Sequence, residues 1–500
     1  MTLDDNLGLS KNPFSKRSSE QELDFLEEIF YEPNYYKTLM DVLSTGDSRF
    51  IIGQRGHGKS SIINKLFDDL EKNGLFTIKV DRFDSIPAKK NETAFIKLIL
   101  KSLTTKLGIF LDKNKNCVKK LERFDKEKLA LFIRIFFRTL SKNEYTNIYN
   151  NVHKVKTKNF VRRLFNKWGL MPVNSIASTA ISITSTVVRQ SLGLEHIDAK
   201  EVYKEYFGSI KEIDFDTIDI DKVDCSKQAL KEILDEILII IKKLGFQTTV
   251  ILFDKIDEYQ DLNQEISKIA TFTSEIVSDT ELLLNEKFAI GFSLWSELKS
   301  ELSGVVRFDK FGFIDVRWRQ SDLEPLISKR LRYFSKSKEP SSVVTLEKLI
   351  PNETDRNEIL YVAHKSPRDL ISVLGDIYQE QSNRRQNVSC FDSNSISKGL
   401  INFCSNYDYD SIYPIKAGRS KEIKAMINRI LAVRQTRFTV KQLTDTFNQN
   451  ISQSEGQIKI MIGYSLIRED DILGPNNIKY YEVIDPKVEL LLKRAIVKIE

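Results

Sequence analysis

Five hundred residues, 41% hydrophobic and with a net charge of +6, describe a folded chain of roughly three domains. That charge neither demands nor excludes a nucleic-acid partner, and no run of 18 apolar residues is present, so no transmembrane helix and no membrane partner are expected. The four cysteines, Cys117, Cys225, Cys390 and Cys404, lie far apart without a CxxC pair. They exclude a zinc signature and a disulfide framework, and a reducing, cytoplasmic setting is the expectation. The first five residues lack the basic-then-apolar pattern of a signal peptide.

In chain order, residues 1–45 read as an irregular leader followed by one or two helices, with Asn12-Pro13-Phe14 favouring an extended or turn start. Ser48–Ile52 is short and apolar enough for a buried strand, and residues 61–67 carry apolar side chains at helical spacing. Between them lies Gly53-Gln54-Arg55-Gly56-His57-Gly58-Lys59-Ser60, followed by Ser61. This segment fits the phosphate-binding loop of P-loop NTPases, G-x-x-x-x-G-K-[ST]. Its glycines let backbone N–H groups curl around a phosphate, and the helix start adds partial positive charge. Lys59 is expected to reach the β- and γ-phosphates and Ser60 to ligate Mg²⁺. Gly53, Gly56, His57, Gly58, Lys59, Ser60 and Ser61 are therefore the candidate nucleotide-binding residues, with ATP and Mg²⁺ as the expected ligands.

The first helix is expected to run to about Asn73, with Gly74 ending it, and residues 76–81 read as a second strand. From about 92 to 235 the pattern is helical and lysine-rich, too long for one crossover, and reads as an α-helical insertion in the core. It contains a basic cluster, Lys154 to Lys167, that reads as a solvated face. It also contains the apolar but hydroxyl-rich stretch 173–188, which reads as a buried element rather than a membrane-facing one. Strand signals return at 248–253, 288–292 and 311–316, and alternating strands and helices imply a parallel sheet covered on both faces.

The run Val250-Ile251-Leu252-Phe253-Asp254 looks like a buried central strand whose tip meets Mg²⁺, making Asp254 the candidate metal partner. Asp257 and Glu258 follow at once, and either can orient and deprotonate the attacking water. Ser293 stands after the next strand, placed to sense a γ-phosphate, and Arg307 is a candidate arginine finger across a subunit interface, with Arg317 and Arg319 as rivals. Arg368, in His364-Lys365-Ser366-Pro367-Arg368, sits in the first turn of a helix that Pro367 can start. Residues 322–410 are mainly helical. The last 85 residues show a helix over 422–431, a second begun by Phe438–Leu443 with Thr439 as its cap, and a third over 455–466 capped by Ser454. Two strand-like stretches then flank Gly474–Asn477, a hairpin turn by composition.

These motifs together resemble an AAA+/STAND-type P-loop ATPase of the Cdc6-like and Sll1717-like groups with a C-terminal winged helix. The spacing Asp254-x-x-Asp257-Glu258 resembles the Walker B motif of STAND-class NTPases, whereas Lys255 departs from the plainer AAA+ pattern, which has Glu there. Residues 364–370 resemble the sensor 2 element. The resemblance implies a parallel-sheet α/β ATPase core over 46–330, a helical lid over 331–412 and a winged helix over 413–500. It also implies a homo-oligomer that hydrolyses ATP, with DNA as a partner through the winged helix. The roles it suggests are DNA transactions or defence against foreign DNA. Gln453, Gln457 and Lys459 line the helix that would meet DNA, although Ile458, Ile460, Met461 and Ile462 make it apolar. The alternative is a regulatory ATPase whose insertion and winged helix bind protein.

Overall fold

A computed structural model describes residues 2–84, 86–89, 92–122, 226–259, 262, 265–413, 422–472 and 478–500, together with Asp125, Lys128, Leu129, Phe132 and Phe136. The basic cluster 154–167, the stretch 173–188, Lys416, Arg419, Lys421 and the turn 474–477 lie outside the described residues. Helices of eight or more residues are numbered below.

Five strands, β1 (Arg49–Gly53), β2 (Phe76–Val80), β3 (Thr249–Phe253), β4 (Phe288–Trp295) and β5 (Phe313–Val316), form one parallel sheet in the order β2-β3-β4-β1-β5. The strands are apolar throughout because both faces are covered, and the strand period of two sorts their side chains. Phe50, Ile52, Ile251, Phe253, Phe288, Ile290 and Phe292 join one core cluster, while Ile51, Val250, Leu252 and Ala289 join another. Helices α1 (Tyr36–Ser44) and α2 (Lys59–Lys72) cover the second face through Leu39, Leu43, Ile62, Ile63 and Leu66. At Gly291 a Cβ would stand 2.7 Å from Leu252 Cδ2, so the Leu252 side chain of β3 takes the space over this glycine.

The first face is covered by α3 (Glu92–Lys113), α4 (Lys227–Leu244) and α5 (Ile266–Val277). The two ends of the segment expected to be an insertion are therefore core helices. Helix α4 carries a 3.6-period apolar stripe, Leu230, Ile233, Leu234, Ile237, Ile241 and Leu244, starts at a Ser226 cap and stops at left-handed Gly245. Strand β4 runs to Trp295, so Ser293 lies within it rather than after it.

Beyond the sheet, α6 (Gln320–Phe334), α7 (Glu353–Val362), α8 (Pro367–Arg384) and α9 (Ser393–Ser405) share a further core. Leu3, Leu7, Leu9 and Phe14 of the leader are buried in that same core, so the leader is an integral part of the helical layer. The chain ends with α10 (Glu422–Val433), β6 (Arg437–Phe438), α11 (Val440–Phe447), α12 (Ile451–Gly463), β7 (Ile467–Glu469), β8 (Tyr481–Val483) and α13 (Pro486–Lys493). The three strands form an antiparallel sheet in the order β6-β8-β7. Thr439 caps α11 in a capping box with Gln442. Helix α12 starts earlier than expected because Asn450, not Ser454, is its cap, and Ser454 is buried within it.

Candidate nucleotide site

The loop between β1 and α2 is shaped by two glycines in the left-handed region, Gly56 at φ 83° and Gly58 at φ 81°, where other residues are strained. Gly58 precedes α2 without any side-chain cap. The first N–H groups of this 14-residue helix therefore have no side-chain acceptor, which is the electrostatic setting for an anion. Lys59 is buried and donates to the carbonyl oxygens of Gly53 (2.9 Å) and Gln54 (3.1 Å). These two bonds tether it to its own loop, and burial lowers its pKa against the opposing pull of Asp257 and Asp254.

The sheet order places β4 between β1 and β3. Ile51 pairs with Ser293, and Phe292 pairs with Phe253, the residue before Asp254. Ser60, Ser293 and Asp254 thereby meet. Burial raises the Asp254 pKa, while the Ser60 and Ser293 hydroxyls and the nearby lysines favour its charged form. Ser293 Oγ lies close to that carboxyl yet has no well-formed hydrogen bond.

Asp257 is occupied. Arg55 of the loop sets Nε 3.3 Å from its carboxylate and donates from Nη2 to its carbonyl at 3.0 Å. The same guanidinium lies 4.3 Å over the Trp295 ring. Arg55 was not singled out in the sequence, because the loop motif leaves its position open. Among the described residues Glu258 carries no such pair, and it opens to the cleft, where partial loss of solvent and the Asp257 charge raise its pKa. Lys255, left-handed at φ 60°, turns away and reaches Glu20 of the leader at 2.5 Å. Burial works to raise the Glu20 carboxyl, but the Lys255 ammonium overrides it and holds the pKa at about 2.

His57 is packed against β5, with Nδ1 3.2 Å from the Val316 carbonyl and its own carbonyl receiving Trp318 Nε1–H at 2.9 Å. Burial lowers its pKa to about 4, so it is neutral near pH 7. Helix α8 closes the other side of the cleft. Ser366 caps it and Pro367 is its first residue. The Arg368 amide donates to the Gly56 carbonyl at 3.3 Å, and a Cβ on Gly56 would stand 2.9 Å from Ser366 Oγ. Two successive left-handed residues, His364 and Lys365, make the turn that lowers Ser366 onto the loop. Such conformations cost about 1 kcal/mol or more each.

The cleft so formed encloses about 90 Å³ and is lined by Lys59, Ser60, Asp254, Glu258, Arg368 and the leader residue Arg17, among others. It shares Glu22, Gly58, Ser61, Pro367 and Ile371 with an adjoining pocket of about 80 Å³. Ile29, Phe30, Tyr31 and Trp318 make that pocket apolar. The leader residues among them, Ile29, Phe30 and Tyr31, carry no motif, so the sequence pattern could not show them. A larger cavity, about 670 Å³, opens on α12, far in sequence from the converging charges. Arg307 is not in the cleft. It is 68% exposed and clasps Asp309 with both Nε (3.0 Å) and Nη2 (2.7 Å). Arg317 pairs with Asp315, and Arg319 precedes α6.

Ser60 and Asp254 supply hard oxygens of the kind Mg²⁺ takes together with substrate phosphates. Among the described residues no group of three or more His, Cys, Asp or Glu is placed to hold a metal unaided. The uncapped helix, the retracted lysine and the orphaned Ser293 hydroxyl fit a magnesium nucleotide.

No protein-family model matches the chain, and no curated protein sequence matches it. Solved structures similar to it include the Orc1 protein of Aeropyrum pernix in complex with DNA, at 8% identity and a TM-score of 0.36, over 95% of this chain and 96% of that one. Cdc6p from Pyrobaculum aerophilum is 9% identical, with a TM-score of 0.30 over 99% and 97% of the two chains. Drosophila ORC bound to DNA is 9% identical, with a TM-score of 0.29 over 98% and 90%. Likeness at this level says nothing about activity.

Proposed function

We propose that the chain is an ATP-binding and ATP-hydrolysing switch of AAA+/STAND type that engages nucleic acid through its C-terminal unit. The observation that carries the first half is the convergence, in one cleft, of an uncapped helix start, Lys59, and Asp254 with Glu258 from the β3 tip. In this reading Lys59 leaves the Gly53 and Gln54 carbonyls to meet phosphate oxygens, and the amides at the start of α2 hold the same group. The apolar pocket beside Ser61 receives the base. Ser60 and Asp254 would hold Mg²⁺, which when bound neutralises phosphate charge. Glu258, unpaired by any arginine, takes the proton of the attacking water on its carboxylate. Asp257 instead fixes the turn through Arg55, and Arg368 offers positive charge from the α8 side.

The antiparallel sheet β6-β8-β7, packed with α10, α11 and α12, supports a winged-helix reading of the C-terminal unit. Its outer α12 face presents Gln453, Lys459 and Ile462. Nucleotide titration of the wild-type and Lys59→Ala chains tests the proposal. Wild type binds ATP with Mg²⁺ and releases phosphate, and Lys59→Ala loses binding or turnover by at least tenfold, the scale of a lost charge-assisted contact. Equal activity in the two proteins refutes it.

A further inference from the structure

Arg307, which the sequence offers as an arginine finger for a neighbouring subunit's site, pairs with Asp309 at the surface, outside this chain's own cleft. The cleft itself is lined by five cations from this chain: Lys59, Arg55, Lys255, Arg368 and Arg17. Arg55 is committed to Asp257 and stacked on Trp295. Arg17 is in a different state. Its side chain is 48% exposed and, among the described residues, bonds Asp376 of α8 through Nη2 at 2.9 Å.

The backbone beneath Arg17 is held firmly on both sides. Phe14 is buried. Arg330 donates to the Pro13 carbonyl at 2.5 Å and the Lys16 carbonyl at 3.0 Å, and it forms a buried ion pair with Glu22 at 2.6 Å. Glu20 is tied to Lys255, one residue from Asp254. The Arg17 amide itself donates to Gln21 Oε1 at 3.2 Å. A Cβ on Gly375 would stand 3.0 Å from Arg17 Nη2 and 3.3 Å from the Phe14 carbonyl oxygen, so the leader passes close over α8 at this glycine. The result is a fixed base with a long, half-exposed cation at the cleft mouth. Such a group can exchange one exposed carboxylate bond, weakly favourable in water, for a fork on a phosphate.

We propose that Arg17 is a phosphate-contacting residue acting within its own chain, which leaves Asp376 for the terminal phosphate of a nucleoside triphosphate and so distinguishes the tri- from the diphosphate. The assignment rests on the nucleotide reading of the cleft. The leader strap is thereby part of the site, and the chain carries its own arginine for the developing phosphate charge.

The test is calorimetric titration of ATP and ADP, each with Mg²⁺, into wild type, Arg17→Ala, Arg17→Lys and Asp376→Asn, with phosphate release followed in parallel. Arg17→Ala is expected to weaken ATP binding about tenfold, leave ADP binding within about twofold and slow turnover. Arg17→Lys recovers part of the ATP affinity. Asp376→Asn binds ATP as well as wild type or better, because the guanidinium is released. ATP binding and turnover by Arg17→Ala at wild-type levels overturn the proposal. So does an Asp376→Asn defect as large as that of Arg17→Ala, which would make the pair a structural clasp. Recovery of turnover on mixing Arg17→Ala with Lys59→Ala chains would move the arginine to a neighbouring subunit and overturn it too. If wild type and Lys59→Ala alike bind neither nucleotide, the nucleotide reading has failed and the proposal falls with it. If Lys59→Ala loses binding while Arg17→Ala does not, only this proposal fails.

Discussion

At the scale of single residues, the contrast between Asp257 and Glu258 separates two carboxylates that the sequence leaves equivalent. Asp257 is turned inward and paired with Arg55, whereas Glu258 faces the cleft with a raised pKa. The proposed base is deprotonated when it works, so turnover falls on the acid side as Glu258 protonates, at a pH above the ordinary glutamate value. A carboxyl whose folded pKa exceeds its unfolded one disfavours folding once it ionises, so its contribution to stability falls as pH rises through that interval. Glu258→Gln is therefore expected to keep ATP bound, slow hydrolysis by about two orders of magnitude or more, abolish the acid limb and raise the melting temperature at neutral pH. A pH–rate profile with thermal unfolding at pH 7 checks this. If Asp257→Asn alone shows that combination, the base is Asp257. The Arg55 pair explains why the choice was not legible. It depends on a left-handed Lys255, a conformation that the residue type does not announce.

At the scale of elements, the contact between α8 and α13 ties the cleft to the C-terminal unit. Lys487 is buried, with Nζ 3.0 Å from the Asp369 carboxylate and 4.4 Å from the Tyr407 ring centre, and Tyr407 Oη donates to the same carboxylate at 2.9 Å. Asp369 follows Arg368 directly, in the first turn that bonds Gly56. Tyr361–Glu489 and Arg494–Glu358 add polar contacts along α13. Removing one partner of a buried ion pair leaves an uncompensated charge, so Lys487→Met is expected to destabilise the chain by about 3 kcal/mol. Adding Asp369→Asn should restore much of that loss, and a denaturant-melt double-mutant cycle measures the coupling. No coupling between the two substitutions would sink the link. Elements with strong periodicity were legible without structure: the sheet strands, α2 with its glycine stop and the Thr439 cap all carry local signals. The pairing of α13 with α8 was not, because it joins residues 118 apart, Asp369 and Lys487, through no shared pattern. The leader lacks periodicity as well, so its burial of Leu3, Leu9 and Phe14 in the helical core appears only in three dimensions.

At the scale of the whole molecule, the question is what the nucleotide cleft drives. The C-terminal unit carries Lys424, Arg429, Arg434, Arg437 and Lys441, but part of the unit's charge is internally paired. Arg437 bonds Asp470, Arg468 bonds Glu482 and Lys479 bonds Glu469. These ion pairs reduce the field available to a phosphate backbone, and Ile451 and Ile472 stand exposed on the same unit, which favours a protein partner as the second reading. Among the described residues, Lys424, Lys441 and Lys459 carry no side-chain ion pair and are among the cations available to nucleic acid. If DNA is the partner, the logarithm of the binding constant falls linearly with the logarithm of salt concentration, and each phosphate contact removed lowers the slope by roughly one. Replacing these three lysines with glutamine should therefore reduce the salt slope by up to about three while leaving ATP binding intact, because all three lie outside the cleft. Fluorescence anisotropy on duplex DNA at several salt concentrations measures it. A slope unchanged in the triple variant, or no binding even at low salt, removes DNA from the reading. The exposed apolar side chains would then make a protein the partner of this unit.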